Sequence, residues 1–271
     1  MASALKQWPI RVQHSAPGTK LPQISFVIPH RGRDRVDLLK LVIASIFSQQ
    51  GAAVECIVVE QNSTREIGAL PEGVRYIHLP HPTHPEPWRK SWAYNVGVAA
   101  ARGSIVVCHD GDILVPERYA AEVLRQIDDR GFEAVHLQRF LFYLDREKTA
   151  EIGARRSVVP VRCERVNQNW QGGTLAITKA AYDAIGGFDE RFVDWGGEDN
   201  EFFDRCTQLK QNVFGYLPFV HLWHPPQPTK FNEGRELAVA LMRERMALPH
   251  ALRATELQQA RRASDPGLVL N

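Results

Sequence analysis

Two adjacent carboxylates, Glu198 and Asp199, directly follow two glycines in the segment WGGEDNEFFDRC, residues 195–206. Glycine lets the backbone approach a ligand closely, and the apolar residues after the carboxylates fall at helical spacing. The pattern predicts a helix whose acidic first turn faces a ligand. The structural alternative is an ordinary helix start, because the helix dipole favours acidic residues in the first turn. Three distant segments carry residue types that suit the same site.

The first of these segments, residues 106–119, holds Asp110 and Asp112 directly after an apolar run that predicts a buried strand. Two carboxylates at i and i+2, just past the end of a strand, can bind a hard divalent cation beside a diphosphate. The alternative is a solvated turn, since Asp-Gly is a common turn pair. His109, which precedes the pair, could support the site as a hydrogen-bond donor or be a plain strand-end residue, and the second interpretation is favoured.

The second segment is basic and follows another predicted strand, which ends at Pro29. Arg31 and Arg33 come next, at the end of the strand where open α/β sheets bind ligands. Guanidinium groups suit phosphate oxygens. Asp34 is predicted to cap the following helix. The alternative here is a solvated basic turn.

The third segment, HLWHPP, places His221 and His224 three residues apart. They could meet on one metal ion if the backbone turns there, and imidazole suits a borderline transition metal. The alternative is a pair of hydrogen-bonded polar residues without a ligand.

Taken in chain order, these four segments resemble the glycosyltransferases of the GT-A fold over residues 22–228. The similarity is greatest to the β-1,4-galactosyltransferase type and to bacterial chondroitin-polymerase type domains. It extends to the strand of residues 56–62, the helix after residue 89, and the block WQGGTLAITKAAYDAIGGFDERFVDWGGEDNE. The resemblance implies an α/β fold with a mostly parallel central sheet flanked by helices. The alternation of apolar strands and amphipathic helices over residues 22–112 predicts the same sheet.

The resemblance also implies an activity and a site. The activity is a metal-dependent, inverting transfer of a hexose or N-acetylhexosamine from a UDP-sugar to an acceptor hydroxyl. Asp199 would act as the general base and Glu198 would bind sugar or acceptor hydroxyls, while Mn²⁺, or alternatively Mg²⁺, would be held by Asp112, His221 and His224. The residues assigned to the nucleotide sugar are Pro29, Arg31, Arg33, Glu60, Lys90, Asn95, Asp110, Gly172, Gly173 and Trp195.

Other functions stay open at this point. Retaining polypeptide N-acetylgalactosaminyltransferases are similar in this region but read WGGEN, whereas this chain has Asp199. A nucleotidyltransferase would not need the WGGED block, and a non-catalytic nucleotide-sugar-binding module would be expected to lose the base or the metal ligands. The acceptor could be a polysaccharide, a lipid-linked sugar, a peptide or a small molecule. A helix N-terminus is expected to keep Asp199 ionised and to lower its basicity.

Composition restricts the partners. Lys and Arg number 33 and Asp and Glu 31, so the net charge of +2 does not call for a nucleic acid partner or an anionic membrane. Cys56 and Cys108 lie in apolar runs and are predicted to be buried free thiols. No apolar run reaches the length of a membrane span. Together with an N-terminus that lacks a secretory core, these features favour a cytoplasmic protein.

Three parts of the chain are predicted. Residues 1–21 form a loose polar leader, residues 22–228 the glycosyltransferase domain, and residues 229–271 a helical extension interrupted at Pro249. The arginines of the extension favour either a partner surface or a solvated helical face. The Pro- and His-rich loop of residues 78–88 could bind metal or be a plain extended loop. Residues 145–157 are predicted to be a polar surface excursion.

Overall fold

A seven-stranded sheet is the centre of the computed structural model, which describes residues 1–14, 20–80, 87–159, 162–169, 171–226 and 233–263. Its strands are β1 (Ile24–His30), β2 (Val54–Gln61), β3 (Val74–Leu79), β4 (Ile105–His109), β6 (Ala134–Val135), β9 (Thr174–Thr178) and β10 (Gln211–Asn212). Their order is β10-β6-β9-β4-β1-β2-β3. Strand β1 pairs in parallel with β2 and β4, and β2 pairs in parallel with β3. Strand β9 runs antiparallel to β4 and β6.

The structure also contains a second, four-stranded sheet. It consists of β5 (Ile113–Leu114), β7 (Gln138–Tyr143), β8 (Arg165–Gln168) and β11 (Leu217–His221), in the order β5-β11-β7-β8. The apolar run of residues 134–144 therefore contributes to both sheets, because the chain crosses from one to the other between β6 and β7. Apolar patterning alone does not reveal such a crossing.

The helices are α1 (Ala2–Gln7), α2 (Val36–Phe47), α3 (Lys90–Ala100), α4 (Tyr119–Leu124), α5 (Arg146–Arg155), α6 (Lys179–Ala184), α7 (Glu198–Cys206), α8 (Glu233–Met246) and α9 (His250–Ala263). A π-helical turn, Arg125–Asp129, continues α4. Every residue of β1 is buried: Phe26 and Ile28 lie in one hydrophobic cluster and Val27 in another. The central sheet is thus covered on both faces, as predicted for a parallel sheet.

The N-terminal residues differ from the predicted loose leader. Leu5, Ile10 and Val12 are 5%, 2% and 1% exposed and belong to the core. The amide of Val12 donates to the carbonyl of Arg156, and the amide of Val158 donates to that of Ile10. Composition alone does not show that these three side chains of a polar segment are buried. Residues 15–19 lie outside the described part.

The remaining peripheral segments are helical. The polar residues 146–155 form α5, whose first turn is capped by the Asp145 carboxylate accepting from the Lys148 amide at 2.7 Å. The C-terminal helices α8 and α9 meet at Pro249, where the sequence predicts an interruption. Among the described residues, no helix is both long and apolar enough to cross a membrane. Residues 81–86 of the Pro- and His-rich loop are outside the described ranges.

Candidate active site

A carboxylate and two imidazoles converge where β4 and β11 end. The Nε2 atom of His224 lies 3.0 Å from Oδ2 of Asp112, and that of His221 lies 3.8 Å from Oδ1. One ligand atom from each of the three residues falls within 4.8 Å of the others. The antiparallel pairing of His221 with Ile113 brings β11 beside the Asp110–Asp112 turn. The backbone therefore turns as required for both histidines to reach one ion, and the oxygen–nitrogen donor set fits a divalent cation.

Arg35 is a further neighbour of this cluster that the sequence analysis missed. Its Nη1 atom donates to Oδ2 of Asp112 at 3.3 Å, and Nη2 donates to the carbonyl of Pro225 at 3.4 Å. Arg33, two residues earlier, is exposed. The signal was available, because Arg35 continues the alternating arginines of the same basic turn. The prediction that Asp34 caps α2 is wrong: Arg35 occupies the N-cap position and no side chain caps this end.

The charges around Asp112 favour its ionised form. Burial alone would raise the pKa of this carboxyl, but His221, His224 and Arg35 together lower the pKa well below its usual range. Burial also lowers the pKa of His221, which favours the neutral imidazole that a metal ion requires.

Tyr143 forms an aromatic wall beside the cluster. Its ring stacks on that of His221 with centroids 4.4 Å apart, and the guanidinium of Arg165 lies 3.9 Å from the Tyr143 ring centroid. The three side chains stack because β7 lies between β8 and β11, which places Tyr143 opposite both Arg165 and His221. Sequence spacing does not indicate it, since the three residues come from separate segments.

Lys90 connects the Asp110 turn with the acidic start of α7. Its Nζ atom lies 3.0 Å from Oδ1 of Asp110, 3.3 Å from Oε1 of Glu198 and 3.6 Å from Oδ2 of Asp199. Burial alone would lower the pKa of Lys90, but the carboxylates raise the pKa well above its usual value. Tyr94, one helical turn after Lys90, donates its hydroxyl to Asp110 at 3.1 Å. The structure thus joins two segments that the sequence could relate only by resemblance.

Asp199 differs in its ionisation from the sequence-based expectation. Burial, with smaller contributions from Glu198 and Asp110, raises the pKa of Asp199 to about 7, although Lys90 acts in the opposite direction. Gly197 is the N-cap of α7 and no side chain caps this end. The expectation of a lowered basicity is therefore wrong, because desolvation and like charges outweigh the helix dipole.

Gly172 and Gly173 lie directly beside the Asp110 turn. The amide of Asp110 donates to the carbonyl of Gly173 at 2.8 Å. A Cβ atom at Gly173, whose φ is 78°, would overlap Cδ1 of Ile113. Glycine suits this position, because other residues rarely adopt a φ of 78°.

Comparison with known proteins identifies the class of enzyme. Residues 25–183, more than half of the chain, match the family model described as glycosyl transferase family 2. The chain belongs to this family. Residues 155–224 match a model described as the N-terminal domain of galactosyltransferase. Over 89 residues the chain is 32% identical to chondroitin synthase of Escherichia coli, an alignment that covers 31% of this chain and 13% of that protein.

The chain is thus a GT-A type glycosyltransferase by family. Enzymes of glycosyl transferase family 2 generally use a divalent metal, and the Asp112, His221 and His224 cluster is a possible site for it. The predicted α/β fold with a mostly parallel sheet is confirmed.

Two residues that were predicted to bind the nucleotide sugar instead form hydrogen bonds with other groups in the protein interior. Glu60 is fully buried and accepts from Asn62, from the amide of Glu66 and from the hydroxyl of Tyr76. The amide group of Asn95 forms four hydrogen bonds, two with the backbone of Phe188, one with Glu190 and one with the hydroxyl of Tyr182. The structure therefore differs from this assignment, since strand and helix patterns do not reveal which polar side chain points inward.

The other predicted residues have mixed surroundings. Pro29 is buried within β1. Trp195 directly precedes the two glycines before α7. The guanidinium of Arg235 lies 5.4 Å from the ring centroid of Trp195. His109 is buried with both ring nitrogens bonded, to Thr174 and to the Ile113 carbonyl, and burial lowers its pKa to about 4. Its interpretation as a strand-end residue is confirmed.

Proposed function

We propose that this glycosyltransferase moves a hexose or N-acetylhexosamine from a UDP-sugar to an acceptor hydroxyl with inversion, with Asp199 as general base. One observation carries the proposal: the Lys90 ammonium lies within 3.6 Å of Asp110, Glu198 and Asp199. The acidic start of α7 is therefore one side chain away from the turn that holds Asp112. A donor at that turn would expose its sugar to Asp199.

Asp199 suits proton abstraction. The acceptor hydroxyl would give its proton to the carboxylate as its oxygen bonds to the anomeric carbon, while the bond from that carbon to the diphosphate oxygen breaks. The electron pair of the broken bond leaves with UDP, and a single displacement inverts the anomeric centre. A base is most effective when its pKa lies near the working pH, and the pKa of Asp199 is about 7. Glu198 would bind sugar or acceptor hydroxyls.

The Asp112, His221 and His224 cluster would hold the divalent cation. Two imidazoles beside one carboxylate favour Mn²⁺ over Mg²⁺, which prefers oxygen ligands. When bound, the cation would neutralise charge on the departing diphosphate. Arg35, beside Asp112, would add a guanidinium on the same side. Gly172 and Gly173 would leave room for the donor sugar, and Trp195 would offer it an apolar face.

The choice of UDP rests on resemblance. Arg31, Arg33 and the Asp110–Asp112 pair fall in the order of UDP-sugar-dependent relatives, and part of the chain matches a galactosyltransferase model. The same support favours a saccharide acceptor, since the chain shares a segment with a chondroitin synthase.

A direct test measures UDP release from UDP-glucose, UDP-galactose and their N-acetylamino counterparts, with Mn²⁺, with Mg²⁺ and with excess chelator. We expect release from at least one donor, fastest with Mn²⁺ and lost in chelator. Calorimetry with UDP, GDP, CDP and dTDP in Mn²⁺ tests the nucleotide, and tighter binding of a rival would contradict UDP. NMR of the released sugar or product gives the anomeric configuration, and retention would exclude Asp199 as the base of a single displacement.

A further inference from the structure

Two arginines of the C-terminal helices are buried, contrary to the solvated face or partner surface that their sequence suggests. Arg253 on α9 is fully buried, and Arg245 on α8 is 2% exposed. Arg245 forms ion pairs with Asp189 at 3.3 Å and with Glu256 at 2.8 Å. Arg253 reaches α7 itself. Buried guanidinium groups are rare unless paired, so these contacts are specific to the fold.

Arg253 completes a largely buried ion-pair cluster on α7, in which Asp204 also lies 3.0 Å from Nε2 of His250. Its Nη1 atom donates to Oε1 of Glu201 at 3.0 Å, and its Nη2 atom donates to Asp204. Arg205 holds Glu201 from the other side with bonds of 2.8 and 2.7 Å, and also donates to the Ile185 carbonyl. Glu201, Arg205 and Arg253 are all fully buried. Two carboxylates thus face two guanidinium groups, and removal of one guanidinium group leaves a carboxylate charge that is not compensated.

The cluster lies one to two helical turns from the acidic pair. Glu201, Asp204 and Arg205 share one side of α7, three to seven residues after Glu198. The beginning of α7 is held as well, because a Cβ atom at Gly197 would lie 3.0 Å from the carbonyl oxygen of Ala238 on α8. The two C-terminal helices therefore fix α7 at its start and along its length.

We propose that Arg253 is a positioning residue that sets the place of Asp199 by fixing α7. The inference rests on the proposed role of Asp199 as base. Only a fixed α7 keeps the Asp199 carboxylate 3.6 Å from the Lys90 ammonium. The guanidinium fork of Arg253 spans Glu201 and Asp204 at once, which a single ammonium group does not reproduce. The C-terminal helices are, on this account, part of the catalytic unit.

The test uses Arg253→Lys, Asp199→Asn and the double variant, with Arg261→Lys as the matched control. Arg261 is on the same helix but pairs with Asp183 of α6 at 3.2 Å, away from α7. UDP release is measured with the most active of the four UDP-sugars, at saturating Mn²⁺ and at least about 15 °C below the Tm of each variant, where each is folded. UDP affinity is measured by calorimetry.

We expect Arg253→Lys to lower kcat by roughly 10–100-fold, the cost of a small misplacement of a reacting group, with UDP affinity within about twofold. Arg261→Lys should keep kcat within about twofold. The double variant should be no slower than Asp199→Asn alone, because Arg253 acts through Asp199. If Arg253→Lys does not fold, Asp204→Asn replaces it, since that change removes one of the two carboxylates that the fork spans.

Two results would overturn the inference alone: an unchanged kcat in Arg253→Lys while Asp199→Asn is inactive, or a double variant slower by the full product of both factors. A merely structural arginine would lower the Tm without lowering kcat in the folded range. Full activity in Asp199→Asn would instead refute the proposed function and remove the premise of the inference. The two failures are therefore distinguishable in one set of measurements.

Discussion

The Nζ atom of Lys90 lies 3.6 Å from Oδ2 of Asp199, yet closer still to Asp110 and Glu198. One cation therefore serves three carboxylates, and the balance around it is negative. Burial, to which Glu198 and Asp110 add, raises the pKa of Asp199 to about 7 against the opposing effect of Lys90. The arrangement leads to predictions for activity, for pH dependence and for stability.

Replacement of Asp199 by asparagine keeps size and most hydrogen bonding but removes the proton acceptor. We expect UDP release and transfer to fall by about 10²–10⁴-fold, the usual worth of positioned proton transfer. UDP affinity should stay within about twofold, because Asp199 would face the acceptor. Asn200→Ala, at the exposed next residue of α7, is the control. A mild effect together with a retained anomeric configuration would favour the retaining alternative.

The kcat/KM of UDP release should rise with pH and level off above about 7, since this ratio reports ionisation of the free enzyme. Below pH 7 we expect about a tenfold fall per pH unit, as the Asp199 carboxylate becomes protonated. The profile is measured from pH 5 to 9 at saturating Mn²⁺, so that protonation of the imidazoles does not limit it. Asp199→Asn should lose this limb, and a limb that persists in the variant would assign it to another group.

The stability of metal-free Asp199→Asn should depend on pH relative to the wild type. The folded-state pKa of Asp199 is raised from its ordinary 3.8 to about 7. Its contribution to the free energy of unfolding is therefore fully present below about pH 4 and lost as the pH rises through 7. We expect the variant to gain Tm over the wild type at pH 8 and to gain less at pH 5. A loss of about 0.5–2 kcal/mol at both pH values would instead indicate a helix cap.

Removal of a proposed metal ligand should abolish both the activity and the rise in Tm that Mn²⁺ causes. Asp112→Ala should lose Mn²⁺-dependent UDP release, since Asp112 contacts both His221 and His224. In the wild type, Mn²⁺ at 100-fold its Kd should stabilise the fold by about 2.7 kcal/mol, which calorimetry detects as a higher Tm. Asp183→Asn, at a carboxylate with a 53% exposed side chain on α6, should keep both properties. Full activity of the wild type in excess chelator would contradict metal dependence.

Arg35 should matter more for UDP binding than Arg33, its exposed neighbour in the same turn. Arg35 contacts Asp112 and the Pro225 carbonyl, so a diphosphate beside the metal ligands would meet its guanidinium. We expect Arg35→Gln to weaken UDP affinity by about tenfold, as for one charge-assisted hydrogen bond. Arg33→Gln should have a smaller effect. Calorimetry at saturating Mn²⁺ compares the two, and the reverse order would support the original assignment to Arg33.

Much of the fold is predictable because its strongest signals are local. The strands β1, β2 and β4 are nearly continuous apolar runs, and such runs indicate strands that are buried on both faces. The N-terminal segment is not predictable in this way. Its core contribution comes from Leu5 in the short helix α1 and from Ile10 and Val12. One residue and one alternating pair are too few to reveal a periodic pattern.

The site is predictable where residue type and chain position suffice. The proximity of Asp112, His221 and His224 is confirmed, whereas the roles of these residues stay predictions. Tyr143 was not predicted because its contacts depend on how distant elements pack, whereas Arg35 continues the alternating arginines of the basic turn and could have been predicted. Glu60 and Asn95 were assigned to the ligand, yet they satisfy buried polar groups, a distinction that only the direction of a side chain decides.

The contact between Arg35 and Pro225 joins positions 190 residues apart in the chain. On the ribosome, β1 and β4 emerge long before β11, so the nascent chain lacks two of the three residues of the Asp112, His221 and His224 cluster for most of its synthesis. Domains complete their packing only when such distant partners are present. A cation and a nucleotide bound at the proposed site would therefore not assist the early stages of folding. They would stabilise only a chain that has been translated beyond His224.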